Sequence, residues 1–193
     1  MSSKCFIGID LSGQPSRFTG IAITNEKGKL VHLSLSLGQV SSLFGIVHSI
    51  CANDGVVAVD SPLNVPSGKK GFREIDRKLL RLGFKVLPLG SWGMQLLVRR
   101  AEQLSILLRR EGFEVIETHP RSSIILAGCN YEDWYRCVSR YIFLPKWILK
   151  LDNRDAIDAI ISATVAFLHG KEPSLDFELH ASDGDIHLLP PGN

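Results

Sequence analysis

Apolar and polar residues change period several times along the chain, and each change marks an element. "KCFIGIDLSG" opens on a short apolar run, and "FTGIAITNEKGKLVHLSLSL" carries two β-rich runs around the turn signal "NEKGK". Together they predict a three-stranded antiparallel meander. "SSLFGIVHSICANDG" then places Leu43, Phe44, Val47, Ile50 and Cys51 at helical spacing and ends on the stop signal Asn53-Asp54-Gly55. "VVAVDSP" is a compact buried strand ended by Pro62, and "FREIDRKLLRLG" beyond the loop "NVPSGKKG" alternates charge and leucine as a short amphipathic helix does. The clearest helix is "GMQLLVRRAEQLSILLRREG", with Leu97, Ala101, Leu104 and Leu108 in register and Gly112 as its stop. "FEVIETHP" reads as another strand, stopped by Pro120. A helical insertion is expected over about 121–150, a long apolar helix after it, and a C-terminal tail over about 171–193. In that tail Ser182-Asp183-Gly184 separates two short runs able to pair.

The long helix begins in an unusual way. In "LDNRDAIDAIISATVAFLHG", Asp152, Asp155 and Asp158 follow one another at three-residue spacing, which puts them on adjoining positions of one helix face. Capping is the ordinary account: Asp152 as N-cap, and Asp155 near the positive end of the macrodipole. Asp158 fits it less well, because Ala156, Ile157, Ala159, Ile160 and Ile161 surround it. A carboxylate there needs a cation or a full set of donors.

Composition sets the frame. The 193 residues, 45% of them apolar, suit one domain with a sizeable core. No apolar run reaches the roughly 20 residues that span a bilayer, and "MSSKCFIGIDLSGQPS" lacks a secretory pattern, so a cytoplasmic protein without a membrane partner is expected. Cys5, Cys51, Cys129 and Cys137 have neither zinc-site spacing nor disulfide-scaffold density, and reduced thiols are expected. The net charge of +2 hides an asymmetry, since residues 69–154 hold 17 Lys/Arg against 9 Asp/Glu. A basic middle suits a polyanion, or is an ordinary solvated surface.

Three apolar strands run into an acid: "FIGID" at Asp10, "VVAVD" at Asp60 and "VIE" at Glu117. With helices as right-handed crossovers these strands are parallel, and their carboxyl ends share the sheet edge where open α/β sheets bind ligands. A helix packed across the face brings Asp155 and Asp158 to the same place. Taken singly, each acid is an end-of-strand residue that caps a helix or meets a lysine. Gathered together, they repel unless divalent cations neutralise them. Mg²⁺ or Mn²⁺ is the natural filling, and two such ions about 4 Å apart serve in-line displacement at phosphorus.

This arrangement resembles the ribonuclease H-like superfamily, and more closely a family of predicted nucleases of unknown substrate. "GIDLSG", "VAVDSP", "FREIDRKLLRLG", "VIETHP", "DNRDAIDA" and "GDIHLLPP" carry the likeness. It implies an α/β ribonuclease H-like fold over residues 1–193, with a central mixed sheet, the meander followed by parallel strands, and helices on both faces. It implies a metal-dependent nuclease that hydrolyses nucleic-acid phosphodiester bonds. Asp10 would bridge two metals, Asp60 would bind one, Asp155 and Asp158 would supply helix-borne ligands, and Glu117 would ligate metal or position water. Arg154 stands where that family favours an acid beside Asp155. Lys69, Lys70, Arg73 and Arg77 are candidate substrate contacts, with Arg73, Asp76 and Arg77 matching a further motif that either clamps substrate phosphate or forms helix-surface ion pairs. All three tyrosines and two of three tryptophans fall between Tyr131 and Trp147, where rings stack on bases or pack into the domain. Nucleic acid is the expected partner, with DNA or RNA and the oligomeric state left open. Two rivals stand beside the nuclease. "GIDLSGQPSRFTGIAI" also looks like the first phosphate loop of actin-like kinases and ATPases, and a non-catalytic nucleic-acid-binding protein can retain the same fold.

Overall fold

The computed structural model describes residues 4–51, 54–66 and 68–192. Asn53 of the predicted stop signal and Ser67 of the predicted loop lie outside the described residues. The meander forms as the periodicity predicts: β1 (Cys5–Asp10), β2 (Thr19–Thr24) and β3 (Leu30–Ser36) pair antiparallel, and Gly28 supplies the positive φ of 70° in the β2–β3 turn. β4 (Gly55–Asp60) adds parallel to the other edge of β1, and β5 (Glu114–Thr118) adds parallel to β4. The chain's end completes the sheet. β6 (Phe177–Ala181) and β7 (Gly184–Leu188) form an antiparallel hairpin whose β7 lies parallel to β5, so the predicted tail is part of the sheet. Strand order is β3-β2-β1-β4-β5-β7-β6. A meander continued by parallel strands, with helices on both faces, is the ribonuclease H-like arrangement.

Among the described residues six α-helices accompany the strands: α1 (Val40–Ile50), α2 (Glu74–Arg81), α3 (Trp92–Arg110), α4 (Pro120–Leu126), α5 (Trp134–Val138) and α6 (Arg154–Lys171). Strand alternation divides the core between the two faces. On β1, Ile7 and Ile9 pack with Leu43, Val47, Leu104 and Leu108 of α1 and α3, while Phe6 packs with Ala159, Ala163 and Ala166 of α6. Among the described residues no helix is long and apolar enough to cross a membrane.

The seating of α6 is set by glycine. Gly8 of β1 lies beside Ala22 and Ala58 in the neighbouring strands, so a row of small residues runs under the helix. A Cβ on Gly8 would stand 2.0 Å from the carbonyl oxygen of Ala159 and 2.1 Å from the nitrogen of Ala163. One on Gly20 would stand 2.0 Å from the carbonyl oxygen of Asp155. The helix backbone therefore rests directly on the sheet, and its first turns are carried down to the end of β1.

Several expectations are corrected. The cysteines pair, Cys5 with Cys51 and Cys129 with Cys137, because the end of α1 returns to the start of β1 and the 129–137 turn is tight. Neither closeness is visible in linear spacing. Asp152 is exposed and precedes the helix; Asn153 is the N-cap and accepts from the Ala156 nitrogen at 3.0 Å. Ile50 is exposed, leaving Val40, Leu43 and Val47 as the buried stripe of α1. Pro120 opens a helix as well as ending the β5 run, since a missing N–H costs nothing at the first helical position. The 121–150 segment is α4, α5 and short 3-10 turns. Of its rings, Trp134 is buried and Tyr131, Tyr135 and Tyr141 pack against the core, while Phe143 and Trp147 are exposed.

Candidate functional site

At the carboxyl end of the parallel strands lies a cleft of about 410 Å³, lined by Asp10, Asp60, Glu117, His119, Lys85 and Arg121 among others. The strand alternation that divides the core also divides these acids. Asp60 stands opposite Thr118 in the β4–β5 register, and Glu117 stands opposite Val59. Asp10 and Asp60 therefore belong to the sheet face covered by α6, and Glu117 to the opposite face, toward Arg73. β5 continues one residue past its acid, to Thr118, so Glu117 is not its last residue.

On the α6 face the carboxylates act on one another. Asp10 is raised from 3.8 to about 8 by burial and by the neighbouring charges of Asp158 and Asp155. Asp60 is raised well above its ordinary value by burial, then by Asp10, Asp158 and Glu117, against the opposing charge of Arg121. Asp158 rises to about 6, with burial the main cause, and a hydrogen bond from Tyr131 and the charge of Arg121 pulling downward. Tyr131 donates its hydroxyl to Asp158 Oδ1 at 3.0 Å and places its ring beneath the Arg154 guanidinium. Asp10 and Asp60 keep part of their surface open to the cleft, yet the atoms packed around them withhold enough water to favour the neutral acids.

Glu117 has different company. It is 5% exposed and receives Arg73 on both oxygens, Nη1 to Oε2 at 2.8 Å and Nη2 to Oε1, with the Leu63 nitrogen also donating to Oε2 at 2.8 Å. Arg73 is 1% exposed and also donates to Asp76, from Nη2 at 2.8 Å. It is neither a free phosphate clamp nor part of a surface pair, but the centre of a buried Asp76–Arg73–Glu117 triad. Lys69, Lys70 and Arg77 are absent from the cleft lining; the cations that do line it are Lys85, Arg121 and the committed Arg73.

His119 is driven down to about 4, by burial first and then by Arg121, so it is neutral. Its Nδ1 accepts from the Ser122 nitrogen and caps α4.

Oxygen-rich, partly open and short of cations, the α6-face acids suit hard divalent ions. They do not close into one tight shell. Among the described residues, groups of three or more ligand atoms within 4.8 Å of one another occur elsewhere, at His169, Asp176 and His187 and at Glu178, His180 and Asp185.

Linear reading missed Arg121 and Tyr131. Arg121 follows the strand-ending "THP", a position from which a side chain reaches the strand-end edge; Tyr131 carries no signal, because its reach to Asp158 depends on the turn after α4.

Strand order and helix placement give the chain a ribonuclease H-like fold. No protein-family model matches it, and no curated protein does. Among solved structures it is similar to Thermus thermophilus RuvC, with a TM-score of 0.48 and 13% identity over 86% of this chain and 95% of that one. T. thermophilus RuvC in complex with Holliday junction substrate gives 0.49 and 14% over 87% and 96%.

Proposed function

We propose that the chain is a metal-dependent nuclease that hydrolyses phosphodiester bonds, with Asp10, Asp60, Asp155 and Asp158 holding two Mg²⁺ or Mn²⁺ ions. The observation that carries the reading is the convergence of Asp10, Asp60 and Asp158, from two strands and a helix, with each raised by burial and by neighbouring acids. Ions at these carboxylates would supply Lewis acidity and a water of lowered pKa. Asp10, at the end of β1 and electrostatically linked to Asp60 and Asp158, would be the central acid of that set. Tyr131 orients Asp158 and favours its charged form. Arg121 and Lys85 face the cleft and would bear on substrate phosphates; Lys69, Lys70 and Arg77 would meet only a substrate that extends beyond it. Glu117, engaged on both oxygens, serves as a fixed negative charge behind Asp60, with Arg73 positioning it.

The test is calorimetric titration of Mn²⁺ or Mg²⁺, followed by cleavage of single-stranded, duplex, hybrid and branched substrates, with Asp10→Asn and Asp158→Asn as controls. Metal binding and cleavage that both substitutions abolish are expected. Retained turnover in both variants would refute the assignment.

A further inference from the structure

A second cluster of ligand-type side chains lies at the far end of α6. His169 projects from the last turn of that helix, eleven residues and about 16 Å of helical rise beyond Asp158. Asp176 immediately precedes β6, and His187 lies in β7. Nδ1 of His169 is 2.7 Å from Asp176 Oδ2, and Nδ1 of His187 is 2.8 Å from the same oxygen. The Asp176 and His187 side chains are each 7% exposed. The other carboxylate oxygen, Asp176 Oδ1, is buried with no hydrogen-bond partner among the described residues. Buried carboxylate oxygens are normally paired, so this one requires an explanation.

The outer ring nitrogens have a telling arrangement. Nε2 of His169 is 3.0 Å from Glu114 Oε1, and Nε2 of His187 is 3.6 Å from Glu178 Oε1. Imidazoles that bind a metal through one nitrogen characteristically present the other N–H to a carboxylate, which fixes the ring and strengthens the ligand. His169 carries that outer partner in Glu114, and His187 has the Glu178 carboxylate nearby but beyond hydrogen-bond distance, so three carboxylates lie around a position able to take two positive charges.

We propose that His169, Asp176 and His187 form a binding site for a zinc-class divalent cation, ligated by both Nδ1 atoms and the Asp176 carboxylate. Two imidazoles and one carboxylate suit Zn²⁺, Co²⁺ or Ni²⁺ and not the all-oxygen preference of Mg²⁺. The ligand atoms already lie within 4.8 Å of one another. A tetrahedral ion with bonds of about 2.0 Å sets its ligands roughly 3.3 Å apart, so the N···O separations must open by about half an ångström as the ring protons leave. The competing account is a purely hydrogen-bonded tie between α6 and the β6–β7 hairpin. It uses the same residues but leaves Asp176 Oδ1 without a partner, where an ion would give the whole carboxylate a role. A bound cation would join the helix end to the hairpin and stabilise both.

The experiment uses the full chain carrying Asp10→Asn and Asp158→Asn, so that the strand-end acids are weakened as competitors. Calorimetric titration with Zn²⁺ is expected to show one ion per chain, and zinc X-ray absorption to show two imidazole ligands. His169→Gln or His187→Gln should abolish that binding, while Glu114→Gln, an exposed position, should weaken it roughly tenfold by removing the outer partner of one ring. If the histidine variants fail to fold, the absorption spectrum of the chain with both histidines intact decides. Absence of zinc binding, or a zinc spectrum without imidazole, overturns the proposal in favour of the hydrogen-bonded tie.

Discussion

Arg73 and Glu117, 44 residues apart, meet in a bidentate pair that excludes water from both side chains. Removing one member of such a pair strands the other as a buried charge, which costs far more than the pair itself contributes. Arg73→Met is therefore expected to lower unfolding free energy by about 3–5 kcal/mol, read from the denaturant midpoint. Glu117→Gln placed on top of it should recover part of the loss.

Without metal, the acid cleft should make the fold less stable as pH rises. Asp10 is raised from 3.8 to about 8 in the folded chain, mainly by burial. Between those values the folded state holds a proton that the unfolded state has released, so stability falls as pH climbs through the interval. Asp158, at about 6, adds to the same fall over the lower part of the range. Melting temperature in chelator should drop from pH 4 toward pH 8, and Asp10→Asn should flatten the slope. A curve that instead rises over this range would remove the electrostatic basis of the site.

Gly8→Ala should damage fold and site together. Its new methyl group would meet backbone atoms of α6 near 2 Å, and a helix backbone cannot rotate aside as a side chain does. A loss of about 3 kcal/mol or more is expected, read by denaturation. Metal affinity of any folded fraction should fall as well, because lifting α6 separates Asp158 from Asp10.

Tyr131→Phe removes the hydroxyl that favours charged Asp158. The carboxyl should then titrate higher by about one pH unit, followed by carbon-detected NMR. If the proposed activity holds, the acid limb of the cleavage profile should move upward with it.

Much of the fold was legible because its signals are local. The short apolar runs of β1 and β4, and the leucine register of α3, declare themselves within a dozen residues. Asp10, Asp60 and Asp158 were also legible, since an acid at the end of an apolar strand, or inside an apolar helix, contradicts its surroundings. Glu117 read as their equal because "VIE" resembles "AVD" in composition; the one-residue offset that turns it to the other face appears only once the β4–β5 register is known. Arg73 read as a surface cation because the carboxylate that buries it arrives 44 positions later. The cysteine pairs and the histidine cluster depend in the same way on chain returns that no spacing rule encodes.

Gly8 and Gly20 leave α6 no slack against the sheet. The acidic centre is consequently set at the moment of folding, with little freedom to adjust when a substrate arrives. If the proposed activity holds, accommodation of different substrates would fall to the rim, where Lys85, Leu87 and Arg121 are exposed. Broadening or narrowing what such a cleft accepts would then mean altering that rim while leaving the helix and its glycine bed untouched.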